Sequence, residues 1–323
     1  MLDFVSKRYW YIVFSAILII PGIISLLIPP GLKPGIEFTS GSLINIQFQG
    51  EVSESQLRDS LGELGYGDVI IQKTSDGSFL IRTPVLQDQR DPSGVPTGES
   101  ERQSLENGLR ESFGPFEVLS FDSVSPIVAG EIVRNAALAV VAASVAILLY
   151  IWWAFRQIPN SLRYGTCAII ALVHDTLVLL GMFSIFGKVF GTEVDSLFIT
   201  ATLTVIGFSV HDTIVVFDRI RENVQRNPNK DFATNINNSL IQTLGRSVTT
   251  NLTLLFTSVA LLLFGGDTIR NFVLALTIGV TAGTYSSLFI AAQVLVIWEY
   301  GELGKVSGGL FGGRRAAPVG ERS

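Results

Sequence analysis

Six stretches of this chain are apolar for long enough to cross a bilayer, and the polar residues gather in blocks between them. A helix needs roughly 20 apolar residues to traverse the hydrocarbon. The candidates are Tyr9–Ile28, Ala136–Trp153, Tyr164–Phe186, Leu197–Phe217, Val248–Phe264 and Phe272–Trp298. Lys7 and Arg8 precede the first run and Pro29-Pro30 closes it. A secretory signal has a similar opening, but this run is long and no A-x-A-like cleavage site follows, so it is read as a span.

Between the first and second runs the pattern changes. Leu43, Ile44, Ile46 and Phe48 alternate with polar neighbours, so Gly35–Gln49 reads as a strand. Ser53 opens a helix with Leu57, Leu61 and Leu64 on one face, ended by Gly65 and Gly67. Val69–Lys73 and Phe79–Thr83 flank Ser75-Asp76-Gly77-Ser78, a hairpin signal. Arg90–Gly98 is a Pro/Gly/Ser-rich loop, Glu99–Phe113 a helix and Phe116–Phe121 a last strand. The order β-α-β-β-α-β is ferredoxin-like, an arrangement that hosts many functions and names none. With no cysteine, histidine or phosphate loop, this α+β domain reads as a binding or lever module. The expected organisation is an N-terminal tail and first helix (1–30), the α+β domain (31–131), a five-helix bundle (132–300) and a disordered tail (301–323).

Composition supports a polytopic α-helical membrane protein: 48% of the 323 residues are hydrophobic and only 16% charged, where soluble domains carry about a quarter. The single cysteine, Cys167, excludes an internal disulfide. Lysine and arginine set the orientation. Thirteen lie in the N-terminal tail, the second-to-third and fourth-to-fifth loops and the C-terminal tail, against Lys188 and Arg270 in the two short loops opposite. Both termini are therefore expected in the cytoplasm and residues 31–131 outside. Trp10, Trp152, Trp153 and Trp298 fall at span ends, where interfacial anchors belong.

Ionisable groups within spans cost at least ~2.5–3.5 kcal/mol on insertion scales and mark function by default. The third span holds Val173-His174-Asp175-Thr176 and the fourth Val210-His211-Asp212-Thr213, a repeat 37 residues apart that contains both histidines. Each His-Asp pair is either a hydrogen-bonding node between helices or part of an ion or proton pathway. Arg246, Thr249, Thr250, Thr253 and Thr257 share one helical face of the fifth span, which is expected to point at protein or water. Arg246 is either a snorkelling anchor or a partner for these carboxylates. Ala275, Gly279, Gly283, Ser287 and Ala291 make a small-residue stripe for close helix packing in the sixth span. An aspartyl protease is disfavoured because Asp212 follows Phe208-Ser209-Val210-His211 rather than Gly-x-Gly, and a zinc enzyme because no H-E-x-x-H is present.

Further motifs carry a resemblance. Gly35-Ile36-Glu37-Phe38-Thr39-Ser40-Gly41, Gly207–Asn223 (GFSVHDTIVVFDRIREN), Phe264-Gly265-Gly266 and Gly283-Thr284-Tyr285-Ser286-Ser287 are similar to motifs of the SecD/SecF family within the resistance-nodulation-division superfamily. The likeness covers nearly the whole chain apart from the tail. Glu37 and Ser40 replace a commoner Asp and Gly, and His211 stands where Asn is common. The resemblance implies a non-enzymatic accessory subunit of the protein-export translocase in the bacterial cytoplasmic (inner) membrane. It implies a SecD partner, association with the SecYEG channel, an indirect link to SecA, preprotein substrates, and use of the proton gradient late in translocation. It implies no cofactor, metal or nucleic acid. Asp212 and Arg246 take the family's functional intramembrane positions, with Asp175, His174 and His211 as relay or packing groups. A stand-alone proton-driven exporter of small molecules or lipids is the alternative.

Overall fold

The computed structural model describes residues 3–67, 69–74, 77–86, 100–156 and 161–301. The loop expected at Arg90–Gly98, the turn residues Ser75 and Asp76, and the tail beyond Gly301 lie outside them. Among the described residues, six helices are long and apolar enough to span a membrane. They are α1 (Arg8–Leu27), α5 (Pro126–Phe155), α6 (Ser161–Val189), α7 (Ser196–Arg226), α8 (Phe232–Phe264) and a sixth that is interrupted, α9 (Arg270–Ser286) running through a π turn (Ser287–Ala291) into α10 (Ala292–Glu299). Elements α2 (Ile36–Thr39), β1 (Gly41–Phe48), α3 (Glu54–Glu63), β2 (Ile70–Lys73), β3 (Phe79–Thr83), α4 (Glu101–Phe113) and β4 (Phe116–Val124) fill the interval between α1 and α5.

Contacts divide the chain into two compact units. One comprises the segments up to Ile28, Ala143–Met182 and onward from Ala201; the other comprises Pro29–Ala142 and Phe183–Thr200. The second unit therefore holds the α+β domain together with the α6–α7 connection, which the sequence reading left in the bundle.

After α1, the spanning helices are longer than the apolar runs. The fifth run was expected to open at Val248, yet α8 begins at Phe232. The added turns are stable because their polar residues pair with one another. Asn223 Nδ2 donates to Ser239 Oγ and Gln242 Oε1, both at 2.8 Å, and Asn235 Nδ2 donates to the Asn227 carbonyl at 3.1 Å. Where α1 passes α6, Gly22 and Gly181 meet backbone to backbone: a Cβ on Gly22 would lie 2.8 Å from the Gly181 Cα.

In the second unit the sheet order is β2-β3-β1-β4, antiparallel throughout, with Ile44 opposite Ile81 on one side and Phe121 on the other. Ser53 with Gln56, and Ser100 with Gln103, form capping boxes at the starts of α3 and α4. Leu57, Leu61, Leu105 and Leu109 then turn one face of each helix onto Ile44, Ile46 and Ile81, all buried. Burying one such side chain contributes about 1.5–3 kcal/mol. The strand expected from Gly35 begins only at Gly41. Gly35–Thr39 instead closes a helical turn, in which Phe38 N, Thr39 N and Thr39 Oγ1 all donate to the Gly35 carbonyl. The chain leaves that turn through Ser40 and Gly41, both at positive φ (62° and 128°), and a Cβ on Gly41 would sit 2.8 Å from the Thr83 carbonyl oxygen.

The same unit fixes the start of α7. Glu37 Oε2 accepts from Ser196 N at 2.7 Å, and Asp195 Oδ1 accepts from Phe198 N at 2.7 Å as a helix cap. Glu193 receives Arg82 at 2.5 Å and Lys33 at 3.4 Å, tying the α6–α7 connection to the sheet. Burial pushes the Asp195 carboxyl above its ordinary value, and the charges of Glu37 and Glu193 add to the effect. A carboxyl whose folded value is raised binds its proton more tightly when folded. The joint is therefore strengthened as pH falls from neutral through that raised value towards 3.8, and weakened above it. Amide exchange at residues 196–199, corrected for intrinsic rates, will be slower at pH 4 than at pH 7.5, and Asp195→Asn will remove the difference. Equal protection of the parent at both pH values would refute this.

Candidate functional site

The repeated His-Asp pairs sit on α6 and α7, and the structure surrounds their carboxylates with hydroxyls. A carboxylate taken out of water needs hydrogen-bond donors on its oxygens, and serines from neighbouring helices supply them. Asp175 is fully buried. Its Oδ2 accepts from Ser209 Oγ on α7 at 2.5 Å and from Ser286 Oγ on α9 at 2.7 Å. Its Oδ1 lies 2.9 Å from His174 Nδ1. The other ring nitrogen of His174 is 2.9 Å from Ser15 Oγ on α1, which approaches the Tyr285 hydroxyl at 3.4 Å. Tyr285 in turn donates to the Tyr11 carbonyl at 2.7 Å. One carboxylate thus joins α1, α6, α7 and α9.

Asp212 is half-buried. Ser247 Oγ on α8 donates to its Oδ1 at 2.8 Å, and Ser287 Oγ, the first residue of the π turn, donates to its Oδ2 at 2.7 Å. Asn251 Nδ2 stands 3.5 Å from Oδ2. Consecutive serines therefore serve the two aspartates, Ser286 on Asp175 and Ser287 on Asp212. A cavity of about 10 Å³ opens between Ser209, Asp212, Asn251 and Thr284, which is room for one water molecule.

The expected residues are not all brought together. His174 is buried within this network, whereas His211 stands on the exposed face of α7, so the two copies of the motif are not equivalent. Arg246 is exposed and makes no ion pair with Asp212 among the described residues. It precedes Asp212's donor Ser247 by one residue, and lines a separate cavity of about 450 Å³ with Asp218, Arg219, Glu222 and Gln242. Arg219 is itself engaged by Glu222 and Gln242. The threonine stripe on α8 also turns outward: Thr249, Thr250, Thr253 and Thr257 are exposed. Thr253 and Thr257 return their hydroxyls to the carbonyls four residues back, at 3.0 Å each, which lets a hydroxyl face an apolar surface without loss. The face of α8 that points inward is the one carrying Ser247 and Ser258. Among the described residues no cluster of three potential metal ligands is present.

The small-residue stripe lies against α7. Ala275, Gly279, Gly283, Ser287 and Ala291 are all buried. A Cβ on Gly279 would come within 2.3 Å of Val205 Cγ2, and one on Gly283 within 3.3 Å of Ser209 Cβ and 3.6 Å of Asp175 Oδ2. Sequence reasoning missed Ser15, Ser209, Ser247, Asn251 and Ser286. The available signal was Ser247 and Asn251, four apart on a span and one residue off the stripe that drew attention.

Val205 is β-branched and stiff, so overpacking at Gly279 is expected to cost about 1–3 kcal/mol. Gly279→Ala will lower the midpoint of thermal unfolding in detergent, Gly283→Ala will lower it less, and Val205→Ala added to Gly279→Ala will recover most of the loss. A Gly279→Ala protein as stable as the parent would show that α7 and α9 do not meet there.

Residues 104–301 match the family model described as protein export membrane protein SecD/SecF, C-terminal. The chain is similar to the protein translocase subunit SecF of Thermobaculum terrenum, 48% identical over 93% of this chain and 94% of that protein. It is similar to the protein translocase subunit SecDF of Bacillus subtilis, 36% identical over 94% of this chain and 39% of that one. Among solved structures it resembles SecDF of Thermus thermophilus, titled a translocon-associated membrane protein, with a TM-score of 0.76 and 32% identity over 93% of this chain. It spans 39% of both of those SecDF chains.

Proposed function

The chain belongs to the SecD/SecF protein-export family, and from that premise we propose that it works as an accessory subunit of the Sec translocase that couples the proton gradient to late steps of preprotein export. Its partner is a SecD-type protein, in keeping with relatives that carry both halves in one chain, of which this chain matches 39%. The outward face of α8 and exposed His211 are the surface left for that partner to cover. The SecYEG channel, SecA and the preprotein lie beyond this pair. The membrane is the bacterial cytoplasmic membrane, both termini lie inside, and the α+β unit lies outside as a lever or binding module.

One observation carries the reading: Asp212 is the half-buried carboxylate that borders a water-sized cavity and is held by groups from two further elements. An ionised Asp212 accepts from Ser247, Ser287 and Asn251 together. Once protonated it carries an O–H that must itself find an acceptor, so one of these contacts has to be given up or reversed. Loading and unloading a proton thereby changes how tightly α7 is bound to α8 and to the π turn. Arg246, beside Ser247 at the mouth of the larger cavity, supplies the positive charge that a moving α8 can bring toward the carboxylate or withdraw. A charge moving through 100 mV supplies about 2.3 kcal/mol, which biases a two-state bundle by more than tenfold, since ~1.4 kcal/mol is one decade.

Asp212→Asn is expected to abolish uncoupler-sensitive stimulation of export into membrane vesicles while expression and recovery of the SecD-type partner stay normal. Arg246→Ala will impair the same step and Arg246→Lys will retain part of it. Full uncoupler-sensitive stimulation in Asp212→Asn vesicles would make Asp212 structural only. Failure to recover any SecD-type partner under mild detergent would favour a stand-alone exporter of small molecules or lipids.

The orientation is tested separately at Glu63, exposed near the end of α3. Glu63→Cys in a Cys167→Ser background will react with an impermeant maleimide applied to intact spheroplasts. Reaction only after permeabilisation would invert the topology.

A further inference from the structure

We propose that the π turn at Ser287–Ala291 is the moving element that reads the proton on Asp212, and that Asp175 is a positioning residue holding the upstream end of that turn rather than a proton carrier. This rests on the assignment of Asp212 as the proton-bearing group and goes beyond it to the element that moves.

Access and anchoring distinguish the two aspartates. Asp212 is half-buried and borders the water-sized cavity. Asp175 is fully buried, lines neither cavity, and already receives Ser209 and Ser286 on one oxygen with His174 against the other. A carboxylate so enclosed fixes its donors in place, so Ser286 anchors the last residue of α9. The next residue, Ser287, begins the π turn and is bound to Asp212 at 2.7 Å. The irregular turn is thus pinned on one side by a carboxylate without access to water and on the other by one that can change its proton.

The residues beyond the turn point to a second register. A π turn carries one residue more than an α turn, and converting it would rotate the following helix by about 100°. Gln293, the second residue of α10, is fully buried, and neither its Nε2 nor its Oε1 has a hydrogen-bond partner among the described residues. A buried amide left without partners is costly. The observed register therefore holds a polar side chain in an apolar core, and rotation of α10 relieves it. Asp175 holds one end of the turn, Gln293 strains the other, and the Ser287–Asp212 bond sets the balance between registers.

The test uses the full chain assembled with its SecD-type partner, with uncoupler-sensitive export stimulation in vesicles, complex yield and thermal stability as readouts. Ser286→Ala is expected to lower stimulation about tenfold, as loss of a hydrogen bond to a charged group would, at normal complex yield. Ser286→Thr, which keeps the hydroxyl, will restore it, and Asp175→Asn will behave as Ser286→Ala does. Gln293→Leu removes the strain and fixes the observed register, so it will raise the unfolding temperature of the complex while lowering stimulation severalfold. A purely structural role for these residues predicts that stability and stimulation move together. If Ser286→Ala and Gln293→Leu both keep parental stimulation while Asp212→Asn abolishes it, the π turn does not move and the assignment of Asp212 stands. If Asp212→Asn keeps full stimulation, the failure is that of the assignment itself.

Discussion

Two carboxylates held away from water must be surrounded by hydrogen-bond donors, and the first of the two units is arranged to meet that requirement. Charge buried without partners costs several kcal/mol. Here the partners are short hydroxyl side chains, which reach a carboxylate only if the helices carrying them come close. Ser209, Ser247, Ser286 and Ser287 each contact an aspartate on another helix. The glycines of the sixth spanning segment allow that approach: Gly283 lies where a Cβ would crowd Ser209 and Asp175. The small-residue stripe and the polar network are therefore one feature, since neither could be placed without the other.

The spans and the strand-helix order of the second unit were legible in the sequence because burial writes periodicity into both. Continuous apolar runs mark lipid-facing helices, and alternation in β1 marks a sheet with one covered face. Helix ends were less legible. The chain stops being apolar at Phe217 but stays helical to Arg226, because Asn223 finds partners on α8. Pairing between side chains far apart in sequence leaves no local trace. The stretch Gly35–Thr39 carries apolar residues at spacings that fit a strand, yet its backbone amides are satisfied within a helical turn.

The site was half legible. Repetition of Val-His-Asp-Thr directed attention to Asp175 and Asp212, and both lie in the polar core. Repetition also suggested equivalence, and the surroundings deny it: His174 is enclosed by Ser15 and Asp175 while His211 stands exposed. The threonine stripe misled for a related reason. Threonine can return its hydroxyl to its own helix, so a run of polar letters need not form a polar surface. Ser247, one residue away, reaches another helix instead. Nothing in the letters around Ser287 announces a π turn; the bonds made by Ser286 and Ser287 there run to Asp175 on α6 and Asp212 on α7, far away in sequence.

The glycine pair between α1 and α6 has a mechanical meaning. Side chains that interlock, as a valine does against a glycine hollow on α7 and α9, form ridges that must be climbed before one helix can advance along another. Gly22 and Gly181 present bare backbone to each other, so their contact has no ridge. Axial movement of α1 along α6 meets little friction there, and the bond between Ser15 and His174 two turns away resists it. That helix pair is a smooth bearing with a catch along its length.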